Sequence, residues 1–175
     1  ITGDFAPGAW WSNGATDAML RDLSNDYKTV TTDQGGALVV NPTITKEMTS
    51  TENEDGTKTY TITINEGRPT LRLDVLITAK DFVWSTVLLC SPLVPGLAIS
   101  SSSYLTVEGG EAFYNGETQA LSGLRLIDDY TFSVTIVADK LPYFYDLSYA
   151  EFGAFDIEYW LGEGYDVADD GEGCY

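Results

Sequence analysis

Residues 57–90 read TKTYTITINEGRPTLRLDVLITAKDFVWSTVLLC, and the two ends of this stretch follow different periodicities. At its start Tyr60, Ile62 and Ile64 alternate with Thr59, Thr61 and Thr63. Successive side chains of a strand point to opposite faces, so one face of this segment packs on a core and the other meets water. Asp55-Gly56 just before it is a hairpin turn signal, pairing it with a strand around Ile44 to Met48. At the other end Thr78 reads as a helix N-cap, and the carboxylate of Asp81 answers the orphan N–H groups and the positive end of the helix dipole. Phe82, Val83, Thr86, Val87 and Cys90 then recur at helical spacing until Pro92 stops the helix.

Outward from this unit the chain alternates short strands with a few helices. Thr16 to Leu23 reads as a short helix, and Tyr27 to Val40 as a hairpin turning at Asp33-Gln-Gly-Gly36. Ser91 to Ser103 is a Ser, Pro and Gly passage expected to be a loop, and Tyr104 to Tyr114 is expected to be one short helix closed by Asn115-Gly116. Residues 123–137 form a second hairpin, turning at Asp128-Asp129, with Tyr130, Phe132, Val134 and Ile136 on one face. An aromatic stretch, LPYFYDLSYAEFGAFDIEYW, is expected to begin a helix at Pro142, and the Gly- and acid-rich tail from Gly162 to be ordered only by its neighbours. The expected class is α+β, with mixed sheet and hairpins, rather than a doubly wound sheet.

Composition excludes several functions. Asp and Glu total 27 against 9 Lys and Arg, a formal charge of -18 that repels phosphate backbones and anionic membrane surfaces. Nucleic acid is not an expected partner. No apolar run approaches the ~20 residues that span a bilayer, so direct membrane insertion by this segment is not expected. The absence of histidine removes Ser-His-Asp and Cys-His catalysis and His-ligated zinc. The chain opens at Ile1 with no signal-type segment and reads as a mature or excised piece. Two cysteines make no disulfide framework: Cys90 reads as a small buried hydrophobe and Cys174 as part of a mobile tail, a bond between them remaining open.

Three passages, in order, resemble the family 5 extracellular solute-binding proteins, the peptide and oligopeptide receptors of bacterial ABC importers. They are TKTYTITINEG followed by ITAKDFVWS, GLRLIDDYTFSVTI, and LPYFYDLSY. The resemblance implies the first lobe of a bilobed, periplasmic-binding-protein-like fold (type II, cluster C), present here without the second lobe. Residues 1–90 would hold part of the main first-lobe sheet and residues 91–175 an appended subdomain. It further implies peptide or another small solute as ligand, a membrane permease as partner, an extracellular and lipid-anchored location, no catalysis and no cofactor. The chain departs from the family at GRPTLRLDVL, where the usual Asp-Gly turn is missing and a different turn is expected.

The resemblance implies that Gly3, Asp4 and Phe5 lie near the ligand cleft and that Tyr104 offers a ring or hydroxyl to the ligand. Trp10 and Trp11, adjacent in a turn-rich segment, are added on aromatic content alone; packing on the chain's own core is their competing reading. Acidic groups at Glu52, Glu54 and Asp55, and at Asp166, Asp169, Asp170 and Glu172, miss the ligand spacing of a calcium loop and read as solvated turns. A second reading, motivated by the Trp and Tyr content and the acidic surface, is a carbohydrate-binding β module of an exported protein.

Overall fold

The computed structural model describes residues 16, 27–70, 72, 74–93, 102–141 and 146–175. At its centre is a four-stranded antiparallel sheet. Its strands are β3 (Thr45–Glu52), β4 (Lys58–Ile64), β5 (Leu124–Asp128) and β6 (Thr131–Ile136), in the order β3-β4-β6-β5. A two-stranded hairpin, β1 (Val30–Thr32) and β2 (Leu38–Val40), precedes it. The expected boundary at residue 90 runs between strands that share this sheet, because β4 pairs with β6 from Lys58↔Ile136 to Thr63↔Thr131.

The alternation in β4 is realised: Tyr60, Ile62 and Ile64 are buried and the intervening threonines half-buried. Across the sheet Phe132, Val134 and Ile136 of β6 and Leu124 of β5 continue the buried face. On the other face Thr59 meets Thr135 at 2.9 Å and Thr63 meets Thr131 at 3.2 Å, hydroxyl pairs that suit a wet surface. Gly56 carries the positive φ that the β3–β4 turn requires, 85°.

Helix α1 (Ala79–Cys90) covers the apolar face. Its capping box is formed as the sequence indicates, the Thr78 N–H donating to Asp81 Oδ2 at 2.8 Å. Ala79 N–H also donates to Asp129 O at 2.8 Å, tying the helix start to the β5–β6 turn. Phe82 stacks on Phe132 with centroids 5.4 Å apart, and Phe132 meets the edge of Phe152 at 5.8 Å. Both Phe82 and Phe132 are fully buried, so truncating either to Ala costs about 3–5 kcal/mol.

Three expectations are corrected. Tyr104 to Tyr114 is not one helix: a 3-10 turn (Ser103–Leu105) is separated from helix α2 (Gly110–Tyr114) by Gly109, whose φ of 72° breaks the helical path. The tail around Cys174 is packed: Cys174 is fully buried, and Leu121 N–H donates to Cys174 O at 2.9 Å. Both cysteines are free thiols, so no bond joins them. In the acidic tail Asp166, Asp170 and Glu172 are exposed as expected, Asp166 reaching Lys80 at 2.6 Å, but Asp169 is half-buried and ion-paired with Arg125 at 2.7 Å. The expected helix start at Pro142 and all but Thr16 of the expected 16–23 helix lie outside the described residues. Farther along the aromatic stretch, a 3-10 turn (Asp146–Ala150) and helix α3 (Ile157–Leu161) are formed.

The passage without the Asp-Gly turn closes through a short bridge. Pro69 bridges Leu76, Thr70 N–H donates to Val75 O at 2.7 Å, and Ile77 N–H donates to Arg68 O at 2.7 Å. This small loop projects Arg72 onto Asp156 and Glu158.

Candidate functional site

The turn that carries Tyr104 borders a concavity of about 140 Å³ between the second half of α1 and residues 148–155. Its wall combines hydroxyls of Ser85, Thr86, Ser103 and Thr106 with the rings of Tyr149, Phe152 and Phe155. The segments around it are held by defined hydrogen bonds. Ser85 Oγ donates to Gly153 O at 2.7 Å, fixing the 150s segment against α1, and Thr86 Oγ1 donates to Phe82 O at 3.0 Å within the helix. Tyr149 OH donates to Lys140 O at 2.7 Å. On the first hairpin Thr29 N–H donates to Phe152 O at 2.9 Å, and Lys28 pairs with Glu151, a wall residue, at 2.7 Å.

Tyr104 itself is half-buried and stacked on Tyr114, ring centroids 4.0 Å apart. Its position is set by close backbone packing, since a Cβ on Gly110 would collide with Tyr104 O. Tyr104 is therefore a fixed element beside the concavity, with Ser103 and Thr106 supplying its nearest wall. The other expected site residues, Gly3, Asp4, Phe5, Trp10 and Trp11, lie outside the described residues. The aromatic wall residues Tyr149, Phe152 and Phe155 were not singled out as site residues. Their signal was the dense aromatic content of residues 141–160, which periodicity alone cannot assign to a core or a cleft.

Chemically the wall offers ring faces and aliphatic surface with a hydroxyl border and one carboxylate. Such a surface receives an apolar or aromatic group while its border exchanges hydrogen bonds with water or backbone. Among the described residues no group of three or more Cys, Asp and Glu is arranged to hold a metal ion. A second hollow of about 540 Å³ lies near Lys58 and Asp146. There Lys58 Nζ reaches both oxygens of Asp146, at 2.9 and 2.8 Å, and Tyr60 OH donates to the same carboxylate at 2.5 Å. Burial, then the Asp146 carboxylate, push the Tyr60 phenol up. Burial raises the Asp146 carboxyl, but its bonds from Lys58 and Tyr60 outweigh this and hold it below the usual carboxylate range. These three side chains tie β4 to the 146–150 turn.

No family model matches the sequence. No curated protein matches it either. Solved structures do match the fold. Listeria monocytogenes OppA bound to peptide is 23% identical at a TM-score of 0.51, covering 64% of this chain and 21% of that one. The substrate-binding domain of an oligopeptide ABC transporter from Bacillus anthracis is 22% identical at a TM-score of 0.57, covering 86% and 28%. The pheromone receptor PrgZ, solved for its mode of peptide binding, is 21% identical at a TM-score of 0.55, covering 78% and 25%. The chain thus has the α+β fold of one portion of these proteins and spans between a fifth and three tenths of their length.

Proposed function

We propose that this chain is part of an extracellular receptor that binds oligopeptides for import by an ABC transporter. The observation that carries the reading is the fold shared, over 64–86% of this chain, with a peptide-bound OppA, the substrate-binding domain of an oligopeptide transporter and a peptide-binding pheromone receptor. The ordered motifs around TKTYTITINEG and GLRLIDDYTFSVTI agree with it, since they form the paired strands β4, β5 and β6 at the centre of that fold. The role is binding without catalysis; the partner is a membrane permease, and anchoring is through lipid. No helix among the described residues is long and apolar enough to cross a membrane.

Within this reading the concavity beside Tyr104 takes a side chain of the bound peptide. Receptors that accept varied peptides hold the backbone by hydrogen bonds and leave side chains in loosely fitted, wet pockets. A ring-lined hollow with a hydroxyl border fits that task, and it favours apolar or aromatic residues. Gly3, Asp4, Phe5, Trp10 and Trp11 join the cleft in this proposal. The carbohydrate-binding reading is not favoured, because the matched structures are peptide-binding proteins.

The test is to purify the product of the complete reading frame that encodes this chain, denature it, and identify released ligands by mass spectrometry. Recovery of peptides supports the reading. Recovery of saccharides, or tight binding on a glycan array that Trp10→Ala abolishes, overturns it.

A further inference from the structure

Residues 153–161 close against the N-terminal turn of α1 through a cluster whose charges do not balance. Asp81, on α1, is 8% exposed, and its carboxylate accepts from the Thr78 N–H at 2.8 Å while facing the Ile157 N–H that opens α3. Phe155 N–H donates to Asp81 O at 3.1 Å, so the same residue holds the incoming segment by its backbone as well. Asp156, next to Ile157, brings a second carboxylate into the field of the first. Asp156 is bound by Arg72 Nε and Nη2, each at 2.8 Å, by Thr70 Oγ1 at 3.0 Å, and by Tyr159 N–H at 3.0 Å. Glu158 occupies the third guanidinium nitrogen at 2.7 Å.

Two acids therefore share one guanidinium, and the third, Asp81, has no cation of its own among the described residues. The remaining charges on the packed elements do not correct this. Lys80, beside Asp81 on α1, is committed to Asp166 of the tail at 2.6 Å, Arg68 and Asp74 on the 68–76 loop are exposed, and the β5–β6 turn that receives the Ala79 N–H adds only two exposed acids, Asp128 and Asp129. The Arg72 guanidinium makes its bonds to Asp156 and Glu158, leaving Asp81 to backbone donors and the Thr78 hydroxyl. An ionised carboxylate in that position is desolvated and repelled by a neighbour of like charge.

We propose that this cluster is an acid-tightened latch: taking a proton on Asp81 strengthens the docking of residues 153–161 on α1, and losing it loosens them. The sign follows from linkage. Burial, then Asp156, push the Asp81 carboxyl up to about 6 against the bonds from Thr78 and Ile157, so the docked state binds the proton more tightly than the opened one. The contribution of Asp81 to docking is full below about pH 4 and is lost as pH rises through about 6. Asp156 works the other way. Desolvation raises it, but its bonds from Arg72, Tyr159 and Thr70 hold it below the usual range, so the latch also fails in strong acid once this carboxylate is protonated.

The experiment is hydrogen exchange of the full chain near pH 5 and near pH 7, corrected for intrinsic exchange, read at the amides of Ile157–Leu161. Roughly tenfold greater protection near pH 5 is expected. Asp81→Asn should remove that difference, and Glu158→Gln should keep it. Equal protection at both pH values, or an Asp81→Asn chain with the wild-type pH dependence, overturns the proposal; so does loss of the dependence in Glu158→Gln, which would assign the proton elsewhere. If Asp81→Asn does not fold, the carboxyl carbon resonance of Asp81 in the wild-type chain decides. A midpoint near pH 6 supports the latch, and one in the ordinary aspartate range overturns it.

Discussion

Arg72 and Asp156, 84 positions apart, meet in a two-bonded ion pair with Nε–Oδ2 and Nη2–Oδ1 both at 2.8 Å. The pair clamps the 68–76 loop onto the cap of α3, and Asp156 is also the residue that caps that helix through Tyr159 N–H. Asp156→Ala thus removes a helix cap and a fork-shaped acceptor together, and loss of the cap alone costs about 1–2 kcal/mol. Arg72→Lys should recover only part of what Arg72→Met loses, because an ammonium cannot make two parallel bonds to a carboxylate. In urea melts the double variant Arg72→Met, Asp156→Ala should lose clearly less than the sum of the two single losses.

Gly110→Ala sets helix propensity against packing. Propensity favours alanine by about 1 kcal/mol in a helix interior and by less at Gly110, the first residue of α2. The new methyl, however, would collide with Tyr104 O and sit 2.9 Å from Tyr104 C, both backbone atoms that cannot swing aside. Packing wins, and the substitution should destabilise by about 1–3 kcal/mol in thermal or urea unfolding. It should also shift the ring currents of the Tyr104–Tyr114 stack in NMR.

Much of the fold was legible where a local signal exists. The alternation of β4, the box of Thr78 and Asp81, and the hairpins at residues 27–40 and 123–137 each arise from neighbours in sequence. The single helix expected over Tyr104 to Tyr114 fails at Gly109, because glycine identity alone does not reveal a φ of 72°. The burial of Cys174 against Leu121, 53 positions away, and the Arg72–Asp156 pair depend on folding distant segments together, which leaves no periodicity to read. Of the candidate site, Tyr104 was visible only through its resemblance to a family. Tyr149, Phe152 and Phe155 were visible as composition but not as a wall.

The thiols offer a direct check on the packed tail. Burial pushes both Cys90 and Cys174 up to about 12, with Asp169 adding to the effect at Cys174. Only the thiolate reacts, so near pH 8 neither should be modified by an aromatic disulfide reagent in the time that two equivalents react in concentrated guanidinium. Rapid modification of Cys174 in the native chain would contradict its burial.

Stability should peak in mild acid. Desolvation raises Asp146, Asp156, Asp166 and Asp169, yet bonds from Lys58, Arg72, Lys80 and Arg125 respectively win and hold them low. Their contribution is present above the unfolded carboxylate value of about 4 and is lost as pH falls through the lower folded values. Asp81 has the opposite sign: its contribution is present below about pH 4 and is lost as pH rises through about 6. The charge of -18 adds repulsion as pH rises further. Urea unfolding across pH 3 to 8 should therefore give a maximum near pH 5, and Asp81→Asn should raise stability at pH 7 by about 1–2 kcal/mol while changing it little near pH 4.

The most direct test of the peptide-receptor reading is calorimetric titration of the product of the complete reading frame with a set of oligopeptides. Saturable binding at micromolar affinity or tighter is predicted, with Phe- or Leu-containing peptides favoured and their binding weakened by Phe155→Ser. This chain alone, which spans only part of the length of the matched structures, should bind the same peptides far more weakly. No heat of binding from any peptide with the complete product, or full affinity retained by this chain alone, would contradict the account.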